Sequence, residues 1–200
     1  MLATTQHVLI LASASPRRQE LLREAGIAFE VHPAHIAEER VGDEAPRVYA
    51  CRLAEEKAQA VAAKFPGRFV LGADTIVVAG NGNDVLEKPR DAADATRMLR
   101  LLSGRGHEVT TAVSLASPEG GVDTRCATTE VFFRELREEE IERYVAGGEP
   151  MDKAGAYAIQ GGAGPWVQRI EGEYSNVVGL PLSLVTEILR SCGLVAQAGG

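Results

Sequence analysis

Apolar and polar positions in this chain switch repeatedly between a period near two and a period near 3.6. Residues 7–12 are an apolar run that reads as a strand, and residues 16–26 turn helical behind Pro16. Proline suits a first helical turn, and Ser13 and Ser15 before it are placed to cap free N–H groups. Residues 27–31 read as a strand, and 47–64 as an alanine-rich helix ending before Pro66-Gly67. The run at 69–78 is apolar almost throughout, as expected of a strand buried on both faces. The turn Gly80-Asn81-Gly82-Asn83 between extended segments is a hairpin signal. A helix begins at Asp91, carries Ala95, Met98, Leu99 and Leu102 on one side, and stops at Gly104.

Residues 108–116 and 124–133 read as long paired strands, 137–146 as a short charged helix, and 181–194 as an apolar one. The glycine-rich stretch 155–172 reads as irregular around short strands, and the tail 196–200 as frayed. The class is α/β with a mixed sheet, because hairpins accompany the parallel pattern.

Composition narrows the chemistry. With 200 residues and 45% hydrophobic content, the chain can bury one sizeable core or two tightly joined lobes without a separable linker. Its net charge of −7 argues against nucleic-acid binding, so an anionic partner must be met by local positive charge. Cys51, Cys126 and Cys192 are odd in number, widely spaced and without a Cys-x-x-Cys pattern, as expected of reduced thiols in a cytoplasmic protein. No apolar stretch approaches membrane-spanning length, and the N-terminus lacks a signal-peptide pattern.

Two segments concentrate the candidate chemistry. Ser13-Ala14-Ser15-Pro16-Arg17-Arg18 couples a helix start, which attracts anions, to two guanidinium groups. Ser13 either donates to a phosphate oxygen or simply caps the helix. Gly72-Ala73-Asp74-Thr75 sets a carboxylate inside a buried strand, where it is costly without a partner. Asp74 is the candidate general base, or the carboxylate that holds a metal and its attacking water together. Lys57 shares a helical stripe with Tyr49 and Leu53, so it either snorkels to water or reaches a buried anion. Lys88 precedes Pro89, which keeps its backbone extended. A phosphate-gripping turn beside a poised carboxylate suggests metal-assisted hydrolysis of a phosphate compound.

In order along the chain, Leu11-Ala12-Ser13-Ala14-Ser15-Pro16-Arg17-Arg18, Leu53-Ala54-Glu55-Glu56-Lys57-Ala58, Gly72-Ala73-Asp74-Thr75, Lys88-Pro89, residues 152–161 (DKAGAYAIQG) and residues 174–181 (YSNVVGLP) resemble the Maf family of nucleoside triphosphate pyrophosphatases. The resemblance implies a Maf/inosine-triphosphatase-like fold, a mixed twisted sheet with flanking helices and two lobes around a cleft. It also implies a homodimer and a divalent cation (Mg2+, Mn2+ or Co2+). The implied reaction is cleavage between the α and β phosphates.

By the same resemblance Arg18 is the general phosphate ligand, Lys88 lies on phosphate, and Glu38 is a metal or water ligand beside Asp74. Ala37 stands where an Asp commonly precedes that glutamate, which leaves Glu38 and Glu39 as alternatives. Arg17, Thr75 and Gln160 match the subclass acting on dTTP and UTP, as do Asp152 and Lys153. A sister subclass, with an aromatic residue, Asp and Glu at the first three positions, prefers 7-methyl-GTP. A glutamine amide offers the donor and acceptor that uracil and thymine require. The expected function is therefore a cytoplasmic, house-cleaning dTTP/UTP pyrophosphatase. The alternatives are the same chemistry on 7-methyl-GTP, or a nucleotide-sensing regulator of division that does not hydrolyse.

Overall fold

The computed structural model describes residues 8–80 and 84–195. Asn81 to Asn83 of the expected turn, the first residue of the expected first strand and the tail 196–200 lie outside the described residues. Seven strands form one mixed sheet: β1 (Leu9–Leu11), β2 (Phe29–Val31), β3 (Val70–Ala79), β4 (Asp84–Leu86), β5 (Gly106–Ala116), β6 (Val122–Phe133) and β7 (Val167–Glu171). The order is β2-β1-β3-β5-β6-β7, with β4 also on β3. Strand β1 is parallel to β2 and β3, and the remaining pairs are antiparallel. Helices α1 (Pro16–Glu24), α2 (Pro46–Ala62), α3 (Ala92–Leu102), α4 (Glu138–Ala146), α5 (Tyr174–Val178) and α6 (Leu182–Ser191) flank it.

Most elements fall where the hydrophobic periods put them. The one added helix, α5, has only five residues, too few for a period to declare itself. The glycine-rich stretch resolves into short 3₁₀ turns and a single strand, β7. Helix α1 differs at its start. Ser15 occupies the N-cap but makes no side-chain capping bond, and its own amide donates to Ser13 Oγ instead (3.2 Å). The amides of Arg17 and Arg18 therefore have no hydrogen-bond partner among the described residues.

Strand β3 is the spine. Its even-numbered residues face α2, and its odd-numbered residues face the opposite layer. On the odd face, Leu71 and Ala73 join a cluster with Leu21, Leu22, Val113, Leu180 and Ile188. Val77 and Ala79 join a second cluster with Leu99, Phe133, Tyr157 and Trp166. Thr75 falls between the two. On the even face, Val70 packs with Ala58 and Val61, whereas Ile76 and Val78 pack with Tyr49 and Leu53, and Asp74 falls between. A polar layer thus crosses both faces of the sheet at residues 74 and 75.

One edge of β3 is also interrupted there. Strand β1 pairs with it only at Val70 and Leu71, and β4 only from Val77 to Ala79. Between them the edge is open, and the Ala73 carbonyl is left for a side chain to satisfy.

Candidate functional site

The open edge of β3 is where the candidate side chains converge. Arg18, one turn into α1, donates from Nε to the Gly179 carbonyl (2.8 Å), from Nη1 to Ala73 O (2.9 Å) and Ser13 Oγ (3.1 Å), and from Nη2 to Thr75 Oγ1 (3.0 Å). It replaces the missing strand at that edge and leaves about one of a guanidinium's five N–H bonds free. Burial lowers its pKa, while the charges of Asp74 and Glu38 act in the opposite direction. Ser13 Oγ accepts from both Arg18 and the Ser15 amide, so its own O–H remains free to donate.

On the other face, Lys57 projects from α2 to lie 2.6 Å from Asp74 Oδ1 and 2.6 Å from Glu38 Oε1. Asp74 and Lys57 are buried, at 6% and 7% exposure, so the pair removes the cost that either charge would carry alone. Lys88, largely exposed, closes the row at 3.3 Å from Glu38 Oε2. Glu38, rather than Glu39, is therefore the loop carboxylate brought to the cluster. The stripe of Tyr49, Leu53 and Lys57 is buried as the helical spacing requires, and Lys57 reaches an anion rather than water.

The two carboxylates are perturbed in opposite senses. Burial raises the Asp74 pKa, with Glu38 adding to the shift; the Lys57 and Arg18 charges only partly offset it. Burial also pushes Glu38 upward, but hydrogen bonds and charges from Lys57 and Lys88 outweigh it and leave Glu38 below its usual value. Among the described residues, the only sealed side-chain polar atoms without a partner are His107 Nδ1 and Asn176 Oδ1. Asp74 Oδ2 takes no hydrogen bond among the described residues. Two carboxylates that share one lysine are thus held in different electrostatic environments, Asp74 above and Glu38 below the usual carboxylate range.

Two expected residues stand outside this contact network. Arg17 makes no hydrogen bond or ion pair among the described residues, yet its charge reaches Arg18, Asp152 and Tyr144. It thus stands, unpaired, between the α1 start and the segment that carries Asp152. Gln160 is exposed on that segment's turn, its amide without a partner among the described residues. Its neighbour Ile159 packs against both large core clusters, which sets Gln160 at their seam.

Four contributors went unnoticed in the sequence. Thr111, opposite Thr75 on β5, bonds to it at 2.9 Å. Gly179 supplies the carbonyl for Arg18, and the buried Asn176 ties α5 to Val109 and Thr129. Glu87 accepts from the Tyr49 hydroxyl at 2.7 Å. Gly179 and Asn176 lie in a quoted motif, but threonine alternation in a strand and one glutamate in a loop carry no signal of their own.

Among the described residues no three His, Cys, Asp or Glu side chains are grouped to hold a metal by themselves. Glu38 and Asp74 are nevertheless hard oxygen donors on either side of one ammonium group, with Asp74 Oδ2 taking no hydrogen bond among the described residues. A hexacoordinate ion such as Mg2+ commonly takes one or two carboxylates and completes its shell from phosphate oxygens and water. The donor set fits a cation that arrives with a phosphate substrate.

Comparison with known proteins gives the chain's relatives and family. The chain is 56% identical over 187 residues to a dTTP/UTP pyrophosphatase of Koribacter versatilis, covering 94% of this chain and 95% of that protein. It is 54% identical over 186 residues to the dTTP/UTP pyrophosphatase of Geobacter metallireducens, covering 92% and 96%. Among solved structures it aligns with the Staphylococcus aureus Ham1 protein at 14% identity and a TM-score of 0.48, over 92% of this chain and 98% of that one. The family model for Maf-like proteins matches residues 8–192, nearly all that the structure describes, and the chain belongs to that family.

Proposed function

We propose that this protein is a nucleoside triphosphate pyrophosphatase that hydrolyses dTTP and UTP to the monophosphate and pyrophosphate. The observation that carries the reading is the gap in the β3 edge. There a carboxylate with one oxygen free of hydrogen bonds and a raised pKa is paired with Lys57 and feels the charge of Arg18, while Lys88 joins through Glu38 and Arg17 stands unpaired among the described residues. Relatives more than half identical over nearly the whole chain carry the same activity in their names.

In this reading the triphosphate lies along the α1 start. The uncapped amides, the Ser13 hydroxyl, the Arg17 guanidinium and the free N–H of Arg18 bind its oxygens. Lys88, held only by Glu38, swings to a phosphate. Asp74 Oδ2 takes a proton from a water aimed at the α-phosphorus. The new O–P bond forms as the bond from that phosphorus to the α–β bridging oxygen breaks, and the electron pair leaves with pyrophosphate. Lys57 fixes Asp74 and keeps Glu38 ionised beside it. A divalent ion held by Asp74, Glu38 and the substrate would reduce repulsion at the phosphorus and acidify the attacking water. Gln160 reads the base with its free amide, and Thr75 acts on the same recognition through Arg18. A homodimer acting on free cytoplasmic nucleotides, with no nucleic acid or membrane partner, completes the reading.

The test is pyrophosphate release from a panel of triphosphates with Mg2+, Mn2+ or Co2+. Turnover of dTTP and UTP above dATP, dGTP and 7-methyl-GTP is expected, with pyrophosphate as the inorganic product. Asp74→Asn is expected to lower kcat by about 10²–10⁴-fold, the range for losing a general base, in a chain that still folds. Release of orthophosphate alone, a preference for 7-methyl-GTP, or an active Asn variant would refute the assignment.

A further inference from the structure

Glu38 reaches the site from a segment with neither helix nor strand, so something else must fix its position. Helix α2 grips that segment at two consecutive carbonyls. The Tyr49 hydroxyl lies 3.2 Å from Glu38 O, and Arg52 Nη2 donates to Glu39 O at 2.9 Å. Arg52 is itself fixed by both oxygens of Glu44, at 2.8 and 2.9 Å. The same Tyr49 hydroxyl donates to Glu87 Oε1 at 2.7 Å, and Glu87 directly precedes Lys88. One buried phenol on a long helix thus touches both loops that deliver the Glu38–Lys88 pair. Tyr49 has one proton to share; the shorter contact, to a carboxylate, takes most of it, and the Glu38 carbonyl is the second acceptor.

We propose that Tyr49 is a positioning residue of this site: its hydroxyl clamps the Glu38 loop and the Glu87–Lys88 loop in the register that sets both side chains around Lys57. The inference rests on the pyrophosphatase reading above and adds to it a residue that touches no substrate. Tyr49 is only 2% exposed, and its ring packs with Leu53, Ile76 and Val78 under the Arg52 guanidinium. Tyr49→Phe therefore removes the clamp while keeping the packing.

The test measures dTTP turnover, thermal midpoint and amide hydrogen exchange for Tyr49→Phe, Glu87→Ala and the double variant. Tyr49→Phe is expected to lower kcat by about 10- to 100-fold, the scale of one hydrogen bond to a charged group, with KM changed much less. Amides of residues 36–44 should exchange faster, and the thermal midpoint should hardly move. The double variant should lose little more than Tyr49→Phe alone, because both changes cut one link. Unchanged kcat and exchange in Tyr49→Phe, a kcat loss matched by a lower midpoint, or losses that simply multiply would overturn the proposal. If the unaltered protein turns over no triphosphate but the variant loosens residues 36–44, the clamp stands and the pyrophosphatase reading fails.

Discussion

Asp74 and Glu38 share Lys57 yet are driven in opposite directions, Asp74 upward by burial and Glu38 downward by two lysines. Only ionised Asp74 can accept a proton, so the rate must rise as pH climbs through its raised pKa. The acid limb of kcat/KM is accordingly expected above the ordinary aspartate value of about 4. Lys57→Met removes the nearest cation and should move that limb to still higher pH while lowering kcat. A limb at or below the ordinary value, or one unmoved by Lys57→Met, would contradict the assignment. Of these residues, Asp74 was legible in the sequence because a lone carboxylate in an apolar strand demands an explanation. The family resemblance gave Arg17 and Arg18 different roles, but the contacts that separate them were not legible. Adjacent arginines look alike until one is seen bonding Gly179, Ala73, Ser13 and Thr75 while the other makes no ion pair or hydrogen bond among the described residues.

Helix α2 lies unusually close to β3, and Gly72 is the reason. A Cβ there would stand 2.2 Å from Ala54 O and 2.7 Å from Ala58 N, both backbone atoms that cannot turn aside. Ala50, Ala54 and Ala58 offer the matching small face and are fully buried. Gly72→Ala must push α2 outward, taking Tyr49 and Lys57 with it. Urea denaturation should show a loss of about 1–3 kcal/mol, the usual cost of overpacking, together with a fall in turnover. A variant of unchanged stability and activity would mean that the helix has slack. The sequence pattern located α2, its alanine content and the Gly72 motif, because period and composition are local properties. It could not state why glycine is needed, since the atoms that forbid a side chain belong to an element some fifteen residues away. The start of α1 at Pro16 was legible, but its serine cap was not, for a similar reason. Ser15 has the right chemistry for a cap, but its amide is drawn to Ser13 Oγ, which Arg18 in turn holds.

Across the whole molecule, the polar layer at residues 74 and 75 separates core clusters on both faces of the sheet. His107 lies deep in one of them, with Nε2 bonded to the Tyr157 hydroxyl at 2.9 Å and its ring edge-on to Phe133. Burial lowers its pKa to about 4. Between there and the unfolded value of about 6.5, the unfolded chain binds a proton that the folded one refuses. Stability contributed by neutral His107 is thus complete above pH 6.5 and declines as pH falls toward 4, by about 3 kcal/mol in all. Denaturation curves between pH 7.5 and 4.5 should show that decline, and His107→Gln should flatten it. An equally steep decline in the variant would remove His107 as its source.

Strand and helix periods, the α/β class, and the residue types suited to phosphate chemistry are written locally, and each could be taken from the chain in isolation. The net charge of −7 likewise showed that any anion must be met by a local cluster. Convergence is a different kind of property. That β1 and β4 leave one edge of β3 open along a short stretch, that Arg18 bonds there, and that Lys57 meets two carboxylates from separate segments all depend on distances between residues far apart in sequence. Those distances are fixed by close packing of α2 on Gly72 and by the burial of both faces of β3, and no window along the chain contains them.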